Sequence, residues 1–285
     1  MRKSPLRLSL CIGVIVVGLV AGFVLDKTIW AGHHNATSPI VHATPTAQRA
    51  TVTIPEAQDR FVPFILVIQL HTIVTWQNND RVAHVFTTTP DQSSFLNPQP
   101  FSLKIAVGQS AQFTFTQAGL YHYYETTMST WNRSLSHVAA RVGVPQYPLA
   151  MDGMIWVQGP ITGLPSVAVN QIPKEHAAFA TEFLAIAQSG VVTWHNFGEY
   201  PHFIGLVPSW PAPINPADIG LHRLAGTEDV PGGEAVTISF NTPGLYYYYC
   251  RNHDRIDATT HRVQSLKKAS DYPIPMEGFV LVVGS

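Results

Sequence analysis

The sequence predicts an all-β protein made of two similar antiparallel sandwiches in tandem, set behind an N-terminal apolar segment. Three observations carry this reading. From about residue 50 onward, short runs of alternating or wholly apolar residues are separated by Gly, Pro, Asn and Asp turns, with few helical signals. The pattern of the first half then returns in the second. The chain is also 46% hydrophobic and only 12% charged, which suits buried sheet cores and excludes a disordered chain. Its 285 residues suffice for one large or two modest domains.

The elements follow in order. Arg2, Lys3 and Arg7 precede an apolar run from Leu8 to Leu25 that Asp26 and Lys27 close. The run is long for a secretory signal and just long enough to span a bilayer, with its positive flank inside. Residues 1–30 therefore read as a transmembrane signal anchor. A cleaved signal peptide is the alternative, though no good small-x-small site directly follows the run. In both cases the remainder faces an extracytoplasmic space, held at the membrane or secreted. Cys11 lies too early in the run for a lipidated cysteine and reads as an inert thiol. Residues 31–49, rich in Ala, Thr, Pro and His, read as a linker in which His33, His34 and His42 are solvated. A net charge of −1 gives no electrostatic case for nucleic acid.

Strands are expected at Ala50 to Ile54, Phe61 to Ile68, Thr72 to Trp76, Lys104 to Val107, Ala111 to Phe115, Leu120 to Glu125 and Gly153 to Val157, with a turn at Asn78 to Asp80. The repeat is then explicit. VTWQN ending at Asn78 returns as VTWHN ending at Asn196, each with a histidine eight residues after the tryptophan, His84 and His202. GLYHYYE ending at Glu125 returns as GLYYYYC ending at Cys250, and AMDGMIWV around Met151 returns as PMEGFVLV around Met276. The offset is 118 at the tryptophans and 125 in the later blocks, so the second copy has a longer loop between His202 and Gly232. The proline-rich stretch Pro208 to Pro231 is expected to be that surface loop. The domains are expected at 50–160 and 161–285, with a boundary near Ile161 to Val167, where Gly and Pro cluster.

In the second copy His202, Cys250, His253 and Met276 stand at the repeated landmarks. Cys250 is the only cysteine outside the leader, so it has no disulfide partner and makes better sense if a metal occupies it. Two imidazoles, a thiolate and a thioether are the donors of a type 1 copper centre, because the sulfur ligands suit Cu(I) and imidazole suits both oxidation states. Met276 follows His253 only after the long segment Asp254 to Pro275; a core methionine is its other reading, with Asp254 or His261 approaching the metal instead. Tyr246 to Tyr249 are expected to pack on both faces of their strand. In the first copy His84 and Met151 persist, but Glu125 and Met128 stand where Cys250 and His253 would be. This copy is expected to be structural or docking. The alternative is a weak site of His84 and Glu125 with His122 or His137.

Thr193-Trp194-x-Asn196 before His202, Tyr246-x-Tyr248-x-Cys250-x-x-His253 and Met276-x-Gly278-x-Val280-x-Val282 together resemble the cupredoxins, the plastocyanin- and azurin-like blue copper proteins. The resemblance covers roughly residues 50 to 285. It implies two tandem Greek-key sandwiches, the first without a type 1 ligand set, and one copper per chain in the second. It also implies single-electron transfer to transient redox protein partners, an electron carrier more than an enzyme, while the leader is expected to engage the membrane. Copper handling and a two-domain copper oxidoreductase of the nitrite reductase or laccase kind are the alternatives. Tyr249 and Arg251 flank Cys250, where such an oxidoreductase would need a histidine, and the chain has no His-x-His pair.

Overall fold

A computed structural model describes residues 48–207 and 228–284. The anchor and all but the end of the linker, and most of the proline-rich loop, lie outside the described residues. No helix among the described residues is long and apolar enough to cross a membrane. The described chain is all β. Its first half contains β1 (Arg49–Ile54), β2 (Ile65–Gln69), β3 (Ile73–Asn78), β4 (His84–Thr88), β5 (Ser102–Ile105), β6 (Ser110–Thr114), β7 (Gly119–Glu125), β8 (Ser129–Asn132), β9 (His137–Ala140) and β10 (Asp152–Gln158). Its second half contains β11 (Val167–Ile172), β12 (Phe183–Ala187), β13 (Gly190–Asn196), β14 (His202–Leu206), β15 (Glu228–Val230), β16 (Ala235–Phe240), β17 (Gly244–Cys250), β18 (Asp254–Ile256), β19 (Val263–Ser265) and β20 (Glu277–Val283).

The sheet order is the same in both halves. Sheets β1-β3-β6 and β2-β10-β7-β4-β5 recur as β11-β13-β16 and β12-β20-β17-β14-β15. Trp76 on the smaller sheet meets Tyr123 on the larger, ring centres 5.7 Å apart, and Trp194 meets Tyr248 at 5.2 Å. Each core thus lies between its two sheets, filled by alternate residues of each strand. The sandwiches are not purely antiparallel, as the turn pattern suggested. β1 pairs with β3 in parallel, as β2 does with β10, and the second half repeats both pairings. Alternation reports which face of a strand is buried but not the direction of its neighbour. Two further expectations are corrected. Phe61 to Phe64 precede strand β2. The end of the supposed surface loop is strand β15, with Val230 buried. The polar segment before each core methionine folds into a hairpin, β8–β9 and β18–β19.

The repeated motifs have local causes. Asn196 donates through Nδ2 to the carbonyls of Tyr200 (2.8 Å) and Val230 (2.9 Å), and its Oδ1 accepts the Gly198 amide. Asn78 does the same toward Val82 and Ala106. The asparagine after each core tryptophan thus ties down the loop that delivers the next histidine. Gly278 lies against the Tyr248 hydroxyl and Gly153 against that of Tyr123, so any Cβ there would collide with the ring.

The described residues of both halves pack as one compact unit, because the two large sheets meet. Phe64, Leu120 and Met154 of the first half share a cluster with Phe183, Tyr247, Phe279 and Leu281 of the second. Tyr247 stacks on Phe279 (4.4 Å), Phe279 on Phe183 (5.3 Å), and Phe183 meets His122 (5.0 Å). Tyr246 and Tyr248 point into the second core while Tyr247 and Tyr249 face this junction, so the aromatic strand is buried on both faces, as expected from its sequence. A polar network runs through the same junction. Arg262 donates to Asp152, whose second oxygen lies 2.9 Å from His122 Nε2, and Tyr247 donates to Glu277. The Arg262 guanidinium beside Asp152 holds its carboxyl below the usual range against the opposing effect of burial. Burial pushes Glu277 up to about 8 and also raises Glu182 well above the usual carboxylate range.

Candidate metal centre

Three elements of the second sandwich bring the predicted donors together. His202 begins β14, Cys250 ends β17, and Ile204 pairs with Cys250 across these two strands. His253 sits in the tight turn that follows, its amide bonded to the Cys250 carbonyl at 3.1 Å. Cys250 Sγ lies 3.6 Å from His202 Nδ1. The imidazoles of His202 and His253 face each other with centres 5.0 Å apart. One donor atom from each of the three residues falls within 4.8 Å of the others, the only such group among the described residues.

The environment favours neutral ligands. Burial is the main cause that pushes the Cys250 thiol up to about 11. Burial, followed by the neighbouring His253, pulls His202 down to about 4, and burial also lowers His253. Neutral imidazoles bind a metal without losing a proton, whereas the thiol must lose one. His253 Nδ1 is buried with no hydrogen-bond partner. An orphaned ring nitrogen beside a thiol and a second imidazole is what a soft or borderline cation such as copper satisfies. The donor set therefore fits the metal that the family resemblance implies.

Met276 is fully buried in the same core cluster as Cys250, and its carbonyl accepts the Cys250 amide at 3.0 Å. Its own amide donates to both oxygens of Asp254, each at 3.1 Å. Asp254 therefore secures the backbone of Met276, a role the sequence did not suggest. His261 is exposed in the turn between β18 and β19.

In the first sandwich the corresponding groups form no such cluster. His84 and Glu125 are both fully buried, with His84 Nδ1 3.9 Å from Glu125 Oε1 and Nε2 3.3 Å from Asp80 Oδ2. The Glu125 carboxylate accepts the amides of Val85 (3.0 Å), Thr127 (2.7 Å) and Met128 (2.6 Å) and the Thr127 hydroxyl (2.8 Å). Glu125 organises the loop through hydrogen bonds, where the thiol of Cys250 would need a metal. His122 is paired with Asp152, and His137 Nδ1 lies 2.5 Å from the Leu135 carbonyl; both are buried away from His84, so the alternative first-copy site does not assemble.

No family model matches the chain, and no curated protein matches it. Among solved structures it is similar to an oxidised amicyanin variant, 18% identical, covering 39% of this chain and 82% of that one with a TM-score of 0.27. A Cu(I) amicyanin variant is 19% identical, covering 40% and 85% with a TM-score of 0.27. A purple cupredoxin from Nitrosopumilus maritimus is 22% identical, covering 38% and 99%, also at 0.27. Likenesses of this size carry no argument about chemistry, so function is read from the site itself.

Proposed function

We propose that this chain is a type 1 copper protein that carries single electrons between redox proteins outside the cytoplasm. One observation carries the reading: His202, Cys250 and His253 converge in one group, its thiol and first imidazole buried and its second half-buried, with both imidazoles favoured neutral. Bound copper would supply the redox step by cycling between Cu(II) and Cu(I). The chain's own residues hold and shield it. Cys250 and His202 come from paired strands of one sheet, which limits how far the donors move between the two states. Met276, bonded through its backbone to Cys250 and Asp254, would be the fourth donor. The apolar core around Cys250 would shield the metal from water. His253 is half-buried, which makes its ring edge the proposed point of electron exchange. The apolar N-terminal segment is the proposed membrane tether, and the first sandwich carries no copper.

The test is metal content and the visible spectrum of the oxidised protein. One copper per chain with an intense thiolate-to-copper band is expected. Cys250→Ser should abolish that band and leave the circular dichroism of the fold unchanged. A band that survives the substitution would sink the assignment. Copper bound without the band would favour the metal-handling alternative.

A further inference from the structure

The hairpin β18–β19 lies between two proposed ligands. His253 immediately precedes β18, and Met276 follows the segment that leaves β19. Both ends are bonded back to the ligands: Leu266 donates its amide to the His253 carbonyl at 2.8 Å, and Asp254 holds the Met276 amide. Left to itself, a segment of this length would position its two ends weakly relative to each other. It is not left to itself. Arg262, next to β19 and only 5% exposed, reaches across the junction into the first sandwich. Its Nη1 donates to the Ala150 carbonyl at 2.7 Å, its Nη2 donates to Asp152, and its guanidinium lies over the Phe64 ring at 4.1 Å.

The contact is reciprocal. Four of its residues stand 125 positions from four others: His122 from Tyr247, His137 from Arg262, Tyr147 from Tyr272, and Asp152 from Glu277. His122 contacts Asp152 as Tyr247 contacts Glu277. Arg262 of the second hairpin bonds to Asp152, and His137 of the first hairpin lines the same small cavity as Glu277, the residue after Met276. Tyr147 and Tyr272 meet each other edge to face at 5.6 Å. These are the pairings of an isologous interface, here built from two halves of one chain. The two hairpins thus hold equivalent places at the junction, but only the second is tied across it by an arginine, and only the second is flanked by the proposed thiolate ligand.

We propose that the first sandwich serves as a brace for the metal loop of the second, with Arg262 and Asp152 as positioning residues that hold His253 and Met276 in place. This rests on the copper reading above and assigns a task to the half that lacks the thiolate. Removing one member of a buried ion pair strands the other, so the informative variant neutralises both. D152N/R262M keeps a partner for His122 and an apolar stem in place of the arginine, but loses the link across the junction.

Two readouts separate the brace from the metal. The first is amide hydrogen exchange of the metal-free wild-type protein and the double variant. The hairpin amides, Asp257 and Leu266 among them, which donate to the carbonyls of Arg262 and His253, should be protected in the wild type as strongly as those of β10. In the variant they should exchange at least about tenfold faster while β13 and β16 are unchanged. The second is the visible band and reduction potential of the copper-loaded proteins. Both should shift in the double variant, and Arg262→Lys, which keeps the charge but loses the two-pronged contact, should shift them less in the same direction. If the wild type takes up copper without the band, the copper reading fails while hydrogen exchange still decides the brace. If the double variant is folded with unaltered exchange, band and potential, the brace is wrong. Should that variant not fold, wild-type hairpin amides exchanging about a hundredfold faster than those of β10 would overturn the brace by themselves.

Discussion

At Cys250 the cost of burial and the means of removing it lie within one side-chain length. The thiol is pushed up to about 11, so the metal-free protein holds it protonated at neutral pH. Metal uptake must then release that proton, and apparent metal affinity weakens as the pH falls. His137 gives a test that does not involve the metal. Burial pulls it from 6.5 down to about 4. Below pH 6.5 the unfolded chain takes up a proton that the folded chain refuses, so this residue's contribution to stability is present at neutral pH and is lost as the pH falls toward 4. His137→Asn should flatten that loss by up to about 3 kcal/mol between pH 7 and 4. Denaturant titrations of wild type and variant at the two pH values check it; parallel pH dependences would show that His137 titrates normally.

At the scale of the element, strand β17 and its partner β20 show how a motif is built by its neighbour. The glycine of Met276-x-Gly278 stands opposite Tyr248, whose hydroxyl occupies the space a Cβ would need and accepts a bond from Asn170 at 2.8 Å. Gly278→Ala should therefore overpack the place where the segment after His253 rejoins the sheet, costing about 1–3 kcal/mol. Urea unfolding measures it, and Tyr248→Phe/Gly278→Ala should recover part of the loss by removing the colliding oxygen. A cost that stays the same in the double variant would place the strain elsewhere. Much of this element was legible in sequence. The alternating aromatics, the turn glycine and the terminal cysteine all lie within ten residues, and their roles depend on a period of two. The direction of pairing was not legible. Strands β2 and β12 run parallel to the strands that follow them far along the chain, and alternation is the same for either direction.

For the whole molecule, the shared cluster between the two large sheets predicts one unfolding event. Phe279 stacks on both Phe183 and Tyr247 at the junction. Phe279→Ala should cost about 3–5 kcal/mol and lower the single calorimetric transition as a whole. Two resolved transitions in the wild type, only one of them moved by the substitution, would mean that the halves unfold independently. The brace belongs at this scale too, because a hairpin of one half is anchored only when both halves are in place.

The sequence by itself determined the β character, the repeated motifs and the grouping of His202, Cys250 and His253, which Met276 is proposed to join. Each depends on a local pattern of a few residues or on copying that pattern at a fixed offset. Only the tertiary structure decided that the polar segment before Met276 is a hairpin anchored in the other half. The same holds for Glu125, which closes its loop with backbone amides, and for His122 and His137, which serve the junction. The Arg262–Asp152 bond joins residues 110 positions apart. Neither residue shows a periodicity or a motif that marks it, and a buried charge finds its partner only when the two surfaces that exclude water have met.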